Sequence, residues 1–121
     1  MKMLLVDDDP DIQLVARVAL RRAGFTVTTA SNGEAALEAV RADRPDIVVL
    51  DWMMPAMDRP EVCRRLKADP LLRSIPVIFL TARSLQAEIA SGLVLGAIGY
   101  IVKPFDALTL GTEVRRLLET T

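Results

Sequence analysis

Acidic and polar side chains stand at the ends of short apolar runs in this chain. Asp7, Asp8 and Asp9 follow Met3-Leu4-Leu5-Val6, and Asp51 follows Ile47-Val48-Val49-Leu50. Thr81 follows Val77-Ile78-Phe79-Leu80, and Lys103-Pro104 follows Tyr100-Ile101-Val102. Short apolar runs bounded by turn signals read as buried parallel strands. In an open α/β sheet, ligands sit outside the carboxyl ends of the strands. The carboxylates, the hydroxyl and the ammonium can therefore converge on one sheet edge. Carboxylates crowded into one cleft repel one another unless a cation lies between them, and the Lys and Thr beside them could hold an anion. The chemistry suggested is joint binding of a divalent cation and a phosphoryl group.

The elements needed to position these groups can be read along the chain. Strands are expected at Lys2–Val6, Phe25–Thr29, Ile47–Leu50, Val77–Leu80 and Ile98–Val102. Pro10 fits the first turn of a helix with Asp9 as its cap, and that helix carries Ile12, Val15, Ala16, Ala19 and Leu20 on one apolar face before Gly24 stops it. Ser31-Asn32-Gly33-Glu34 opens a second helix through Val40. Further helices are expected over about residues 60–68 and 85–95, and from a cap at Asp106 to about Leu118. Strands alternating with helices of this length imply a parallel sheet with right-handed crossovers and helices on both faces.

Composition narrows the chemistry. At 121 residues and 51% apolar content, the chain is expected to form one domain over residues 1–121 with an ordinary core. A net charge of −1 supplies no field that would hold it to nucleic acid or an acidic membrane. No apolar run approaches the roughly 20 residues that span a bilayer, and the first residues carry no signal-peptide pattern. The single cysteine, Cys63, excludes an internal disulfide and fits a reducing cytoplasm. With no histidine, the chain contains no His-dependent triad, no His-ligated zinc and no phosphohistidine of its own. Carboxylate, hydroxyl and ammonium chemistry remains, and it suits a hard ion such as Mg²⁺.

The strings LLVDDDP, VVLDWMMPAMD, VIFLTA and GYIVKPF occur in order from the first strand to the last. Together they resemble the receiver domain of two-component response regulators, in the chemotaxis-regulator-like superfamily. The resemblance implies a single doubly wound (βα)5 domain with a five-stranded parallel sheet of order 2-1-3-4-5. It implies that Asp51 is the phosphoacceptor, taking its phosphoryl group from a sensor histidine kinase or a histidine phosphotransfer protein. Asp8 and Asp51 would touch Mg²⁺ with the main-chain carbonyl of Met53, and Asp7 would act through a bound water. Thr81, the N–H of Ala82 and Lys103 would contact the phosphoryl group. Tyr100 would turn inward as Thr81 moves, and Pro104 matches a cis-peptide position. The output would be a downstream target protein or a fused output domain, with no nucleic acid bound by this segment itself. Asp9 reads as a helix cap rather than a ligand.

The chain also departs from the family pattern. Arg59, followed by Pro60, stands where the family usually has Gly, so the loop after the third strand is expected to take another path, with no positive φ at Arg59 and with Pro60 opening the third helix. Met53 and Arg83 lie where the family faces the attacking water, and apolar Met53 cannot orient that water, so slow autodephosphorylation is expected. Ile98-Gly99 replace an acidic pair common in regulators that dimerise through this region. Leu95, Ile98 and Tyr100 form either an apolar partner surface or ordinary core, with Ile98 and Tyr100 on one face. Two other readings compete. A phosphorylation-independent pseudo-receiver would be a pure interaction module, which the full set Asp7, Asp8, Asp51, Thr81 and Lys103 argues against. A haloacid-dehalogenase-like phosphatase would use Asp7 and Asp9, but it leaves Asp51 unexplained and lacks room for a cap domain.

Overall fold

A computed structural model describes residues 1–51, 59–81, 97–102 and 106–119. Its strands are β1 (Lys2–Val6), β2 (Thr26–Ala30), β3 (Ile47–Asp51), β4 (Val77–Thr81) and β5 (Gly99–Val102). They form one parallel sheet in the order β2-β1-β3-β4-β5. Four helices are seen among the described residues: α1 (Pro10–Arg22), α2 (Gly33–Ala42), α3 (Arg59–Ala68) and α4 (Leu110–Glu119). The helix expected over 85–95 lies outside them.

The strand residues alternate between two cores, as the two-residue period of a strand requires. Leu4, Val6, Val48, Leu50, Val77 and Phe79 join Leu37, Val40 and Leu66 on one face. Met3, Leu5, Ile47, Val49, Ile78 and Leu80 join Ala16, Leu20, Leu110 and Val114 on the other. The central strands β1, β3 and β4 are thus buried on both faces, and this is why they read as continuous apolar runs, whereas the edge strands β2 and β5 keep exposed residues.

The connections set the strand ends. Asp9 caps α1 by accepting the N–H groups of Asp11 and Ile12 on its side chain, and Asn32 caps α2 through the N–H of Ala35. Gly24 follows α1 with φ +100°, a conformation that L side chains rarely adopt. The N–H of Phe25 still donates to Leu20 O at 3.1 Å, closing the helix. Strand pairing therefore begins at Thr26, one residue later than expected.

Other boundaries moved for equally local reasons. Asp106 accepts the N–H of Leu108 on its side chain and those of Thr109 and Leu110 on its carbonyl. It therefore organises a turn, and α4 starts only at Leu110. α3 includes Arg59, so this residue is helical rather than extended, with Pro60 inside the first turn, where its missing N–H is tolerated. No described non-glycine residue has a positive φ. Ile98 precedes β5 and packs against the core formed with α1 and α4, whereas Tyr100 is 39% exposed, so the expected shared face does not form. Val15, expected in the core, is also exposed.

Candidate functional site

In a parallel sheet all carboxyl ends reach the same edge, and here that edge carries Asp7, Asp8, Asp51 and Thr81. Val6 pairs with Leu50, so Asp7 follows the end of β1 as Asp51 follows Leu50 in β3. Neighbouring strands lie about 4.8 Å apart, which brings the two aspartate backbones side by side. Asp51 pairs with Leu80, and Thr81 follows it as the last residue of β4. Thr81 pairs with Val102 at the end of β5, and Lys103 is next in sequence. Of Asp51 and Thr81 the backbone is described. Met53, Ala82, Lys103 and Pro104 lie outside the described residues, as do Arg83 and Leu95.

The three consecutive aspartates have three environments. Asp7 is fully buried, the one charged residue in the described core. Its Oδ1 accepts the N–H of Asp9 at 2.9 Å, and its own N–H donates to Ala30 O at 3.1 Å. Asp8 is exposed at the sheet edge, and Asp9 is turned away to cap α1. Carboxylates brought side by side at adjacent strand ends repel one another unless a cation lies between them, and carboxylate oxygens suit a hard divalent cation of the Mg²⁺ type. Among the described residues no group of three or more His, Cys, Asp or Glu side chains is placed to hold a metal ion.

One contributor escaped the sequence reading. Gln13 on α1 donates from Nε2 to Asp7 O and, at 3.1 Å, to Ala30 O. The same nitrogen is 3.3 Å from Ser31 Oγ. A signal was present: Gln13 stands three and seven residues before Ala16 and Leu20, as a polar residue on the stripe that faces the core.

Tyr100 lies opposite Phe79, with its ring partly in solvent. Gly99 beside it is packed under Leu117, whose Cδ2 would lie 2.7 Å from a Cβ placed there. An acidic side chain at this position would have to displace Leu117. A second surface feature is a groove of about 510 Å³ between α1 and α4, with Leu14, Val15, Val18 and Leu108 along it. Among the described residues no helix is long and apolar enough to cross a membrane.

The model of the response regulator receiver domain family matches residues 3–115. The transcriptional regulatory protein CseB of Streptomyces coelicolor is 41% identical over 116 residues, covering 96% of this chain and 48% of that protein. The alkaline phosphatase synthesis transcriptional regulatory protein PhoP of Bacillus subtilis is 38% identical over 117 residues, covering 97% and 48%. The chain thus spans about half the length of the curated relatives it matches. The chemotaxis response regulator CheY4 of Vibrio cholerae superposes with a TM-score of 0.90 at 31% identity, covering 96% of this chain and 97% of that one.

Proposed function

The chain belongs to the response regulator receiver domain family of two-component signalling, and from that premise we propose that Asp51 is its phosphoacceptor. The donor is the phosphohistidine of a sensor kinase or a histidine phosphotransfer protein. A carboxylate oxygen of Asp51 forms a bond to phosphorus as the P–N bond to the donor imidazole breaks, leaving an acyl phosphate on Asp51 and the histidine on the donor. The observation that carries this reading is the placement of Asp7 and Asp51 at adjacent strand ends, with Thr81 and the end of β5 on the same edge.

Asp7, Asp8, Asp51 and the carbonyl of Met53 would hold Mg²⁺, Asp7 through a water. When bound, the ion offsets the repulsion between the attacking carboxylate and the phosphoryl oxygens. Thr81, the N–H of Ala82 and Lys103 receive the three phosphoryl oxygens. A phosphorylated side chain carries about −1.5 to −2 charges, so these groups interact better with the phosphorylated form than with bare Asp51. That difference biases a conformational equilibrium, which equal binding could not do. Thr81 moves toward the phosphoryl group and Tyr100 turns inward from its half-exposed position.

Residues 1–121 act as one receiver domain, a signalling module that assists its own phosphotransfer and turns over no external substrate. The work is done in the cytoplasm. Output runs through a fused domain, which the doubled length and transcriptional names of the relatives support, or through a separate target, which the likeness to CheY4 supports. DNA contact, where there is any, belongs to residues beyond this segment.

Intact mass after incubation with a small acyl phosphate tests the reading. Wild type should gain about 80 Da, one phosphoryl group, only when Mg²⁺ is present, and Asp51→Asn should gain nothing. A folded wild type that yields no adduct, even when the product is trapped chemically, would leave an interaction module that works without phosphorylation.

A further inference from the structure

We propose that Gln13 is a positioning residue for the cation site: its side-chain amide fixes the peptide that joins Asp7 to Asp8, and so sets how the two carboxylates face a divalent cation. The inference rests on the reading of Asp7 and Asp8 as the metal-binding pair.

The geometry is specific. The carbonyl that Gln13 holds is that of Asp7, which belongs to the planar peptide unit linking the two aspartate Cα atoms. Fixing that plane fixes the direction in which Asp8 leaves the sheet. The N–H of Asp7 is held by Ala30 O, so both peptide groups flanking this residue are anchored. The amide orientation is determined by its partners. Asp7 O and Ala30 O can only accept, so the nitrogen of Gln13 must face them. The contact to Ser31 Oγ extends the bridge to the start of the β2–α2 connection. One side chain on α1 thereby ties the carboxyl ends of β1 and β2 together directly behind the acidic pair.

Asp8 is exposed, with solvent around its side chain. Packing does not aim it, so its backbone must. Groups that orient metal ligands from behind typically change affinity by 10- to 100-fold when removed. A purely structural clamp would behave differently, since its loss would lower stability and leave cation affinity alone.

Isothermal titration of Mg²⁺, with no phosphoryl donor present, separates the two. Gln13→Met keeps the length of the side chain and removes its donors. Gln13→Asn keeps the amide and withdraws it by one methylene. Each should bind Mg²⁺ about tenfold more weakly than wild type, with excess Mg²⁺ restoring the phosphorylated mass. Lys67→Met is the control. Lys67 also donates to two carbonyls, those of Arg73 and Ile75, but at a distance from the acidic pair, and its loss should leave Mg²⁺ affinity unchanged. Gln13 variants that bind as tightly as wild type, or a control that weakens binding equally, would overturn the inference, as would a wild type that binds no Mg²⁺. A wild type that binds Mg²⁺ but accepts no phosphoryl group would sink the phosphoacceptor reading alone, because the calorimetry still decides the role of Gln13.

Discussion

Three aspartates in a row stand in three different environments, and two of them can be tested separately. Asp9 satisfies two N–H groups at the start of α1. Asp9→Ala should cost about 1 kcal/mol of stability in a denaturant melt while leaving Mg²⁺ binding intact. Asp8 is exposed, so Asp8→Asn should do the reverse, weakening Mg²⁺ binding with little change in stability. The capping role was legible because Pro10 follows Asp9 and marks a helix start. The Gln13 bridge was not, because nothing local in sequence reveals that a side chain on α1 will meet carbonyls from β1 and β2. Met53 gives a further expectation at this scale. With no polar group to orient the attacking water, the phosphorylated form should persist well beyond seconds in Mg²⁺, and a mass time course that shows decay within seconds would refute it.

At the scale of elements, α4 packs tightly against the C-terminal end of α1. A Cβ on Gly111 would sit 2.3 Å from the Cβ of Ala23. Alanine is about 1 kcal/mol more favourable than glycine inside a helix, yet Ala23 has no flexible end that could yield. Gly111→Ala should therefore destabilise, by about 1–3 kcal/mol as overpacked sites do, and thermal melts would read the sign. The same crossing explains Val15. Helical periodicity placed it with Ala16 and Ala19, but α4 approaches through small residues and leaves Val15, Leu14 and Val18 on an open groove. The central strands β1, β3 and β4 were legible almost to the residue because both of their faces are buried. Element ends were less so, since Phe25 before β2 and Asp106 before α4 form turn hydrogen bonds that no apolar pattern encodes.

Over the whole molecule, strand order and the shared edge followed from four motifs read in sequence, and β2-β1-β3-β4-β5 is the order observed. Met53, Ala82 and Lys103 lie outside the described residues, and the roles proposed for them rest on motif correspondence. The sheet itself separates two apolar interiors that share backbone but few side-chain neighbours. Substitutions without common partners add, whereas those in contact couple. This has a genetic consequence. If Val40→Ala left a cell short of functional protein, a screen for revertants should recover compensating changes at Leu4, Val48 or Leu66, and none at Leu20 or Val114. The wall of five strands would divide the protein into two separate complementation neighbourhoods, each free to drift in sequence without consulting the other.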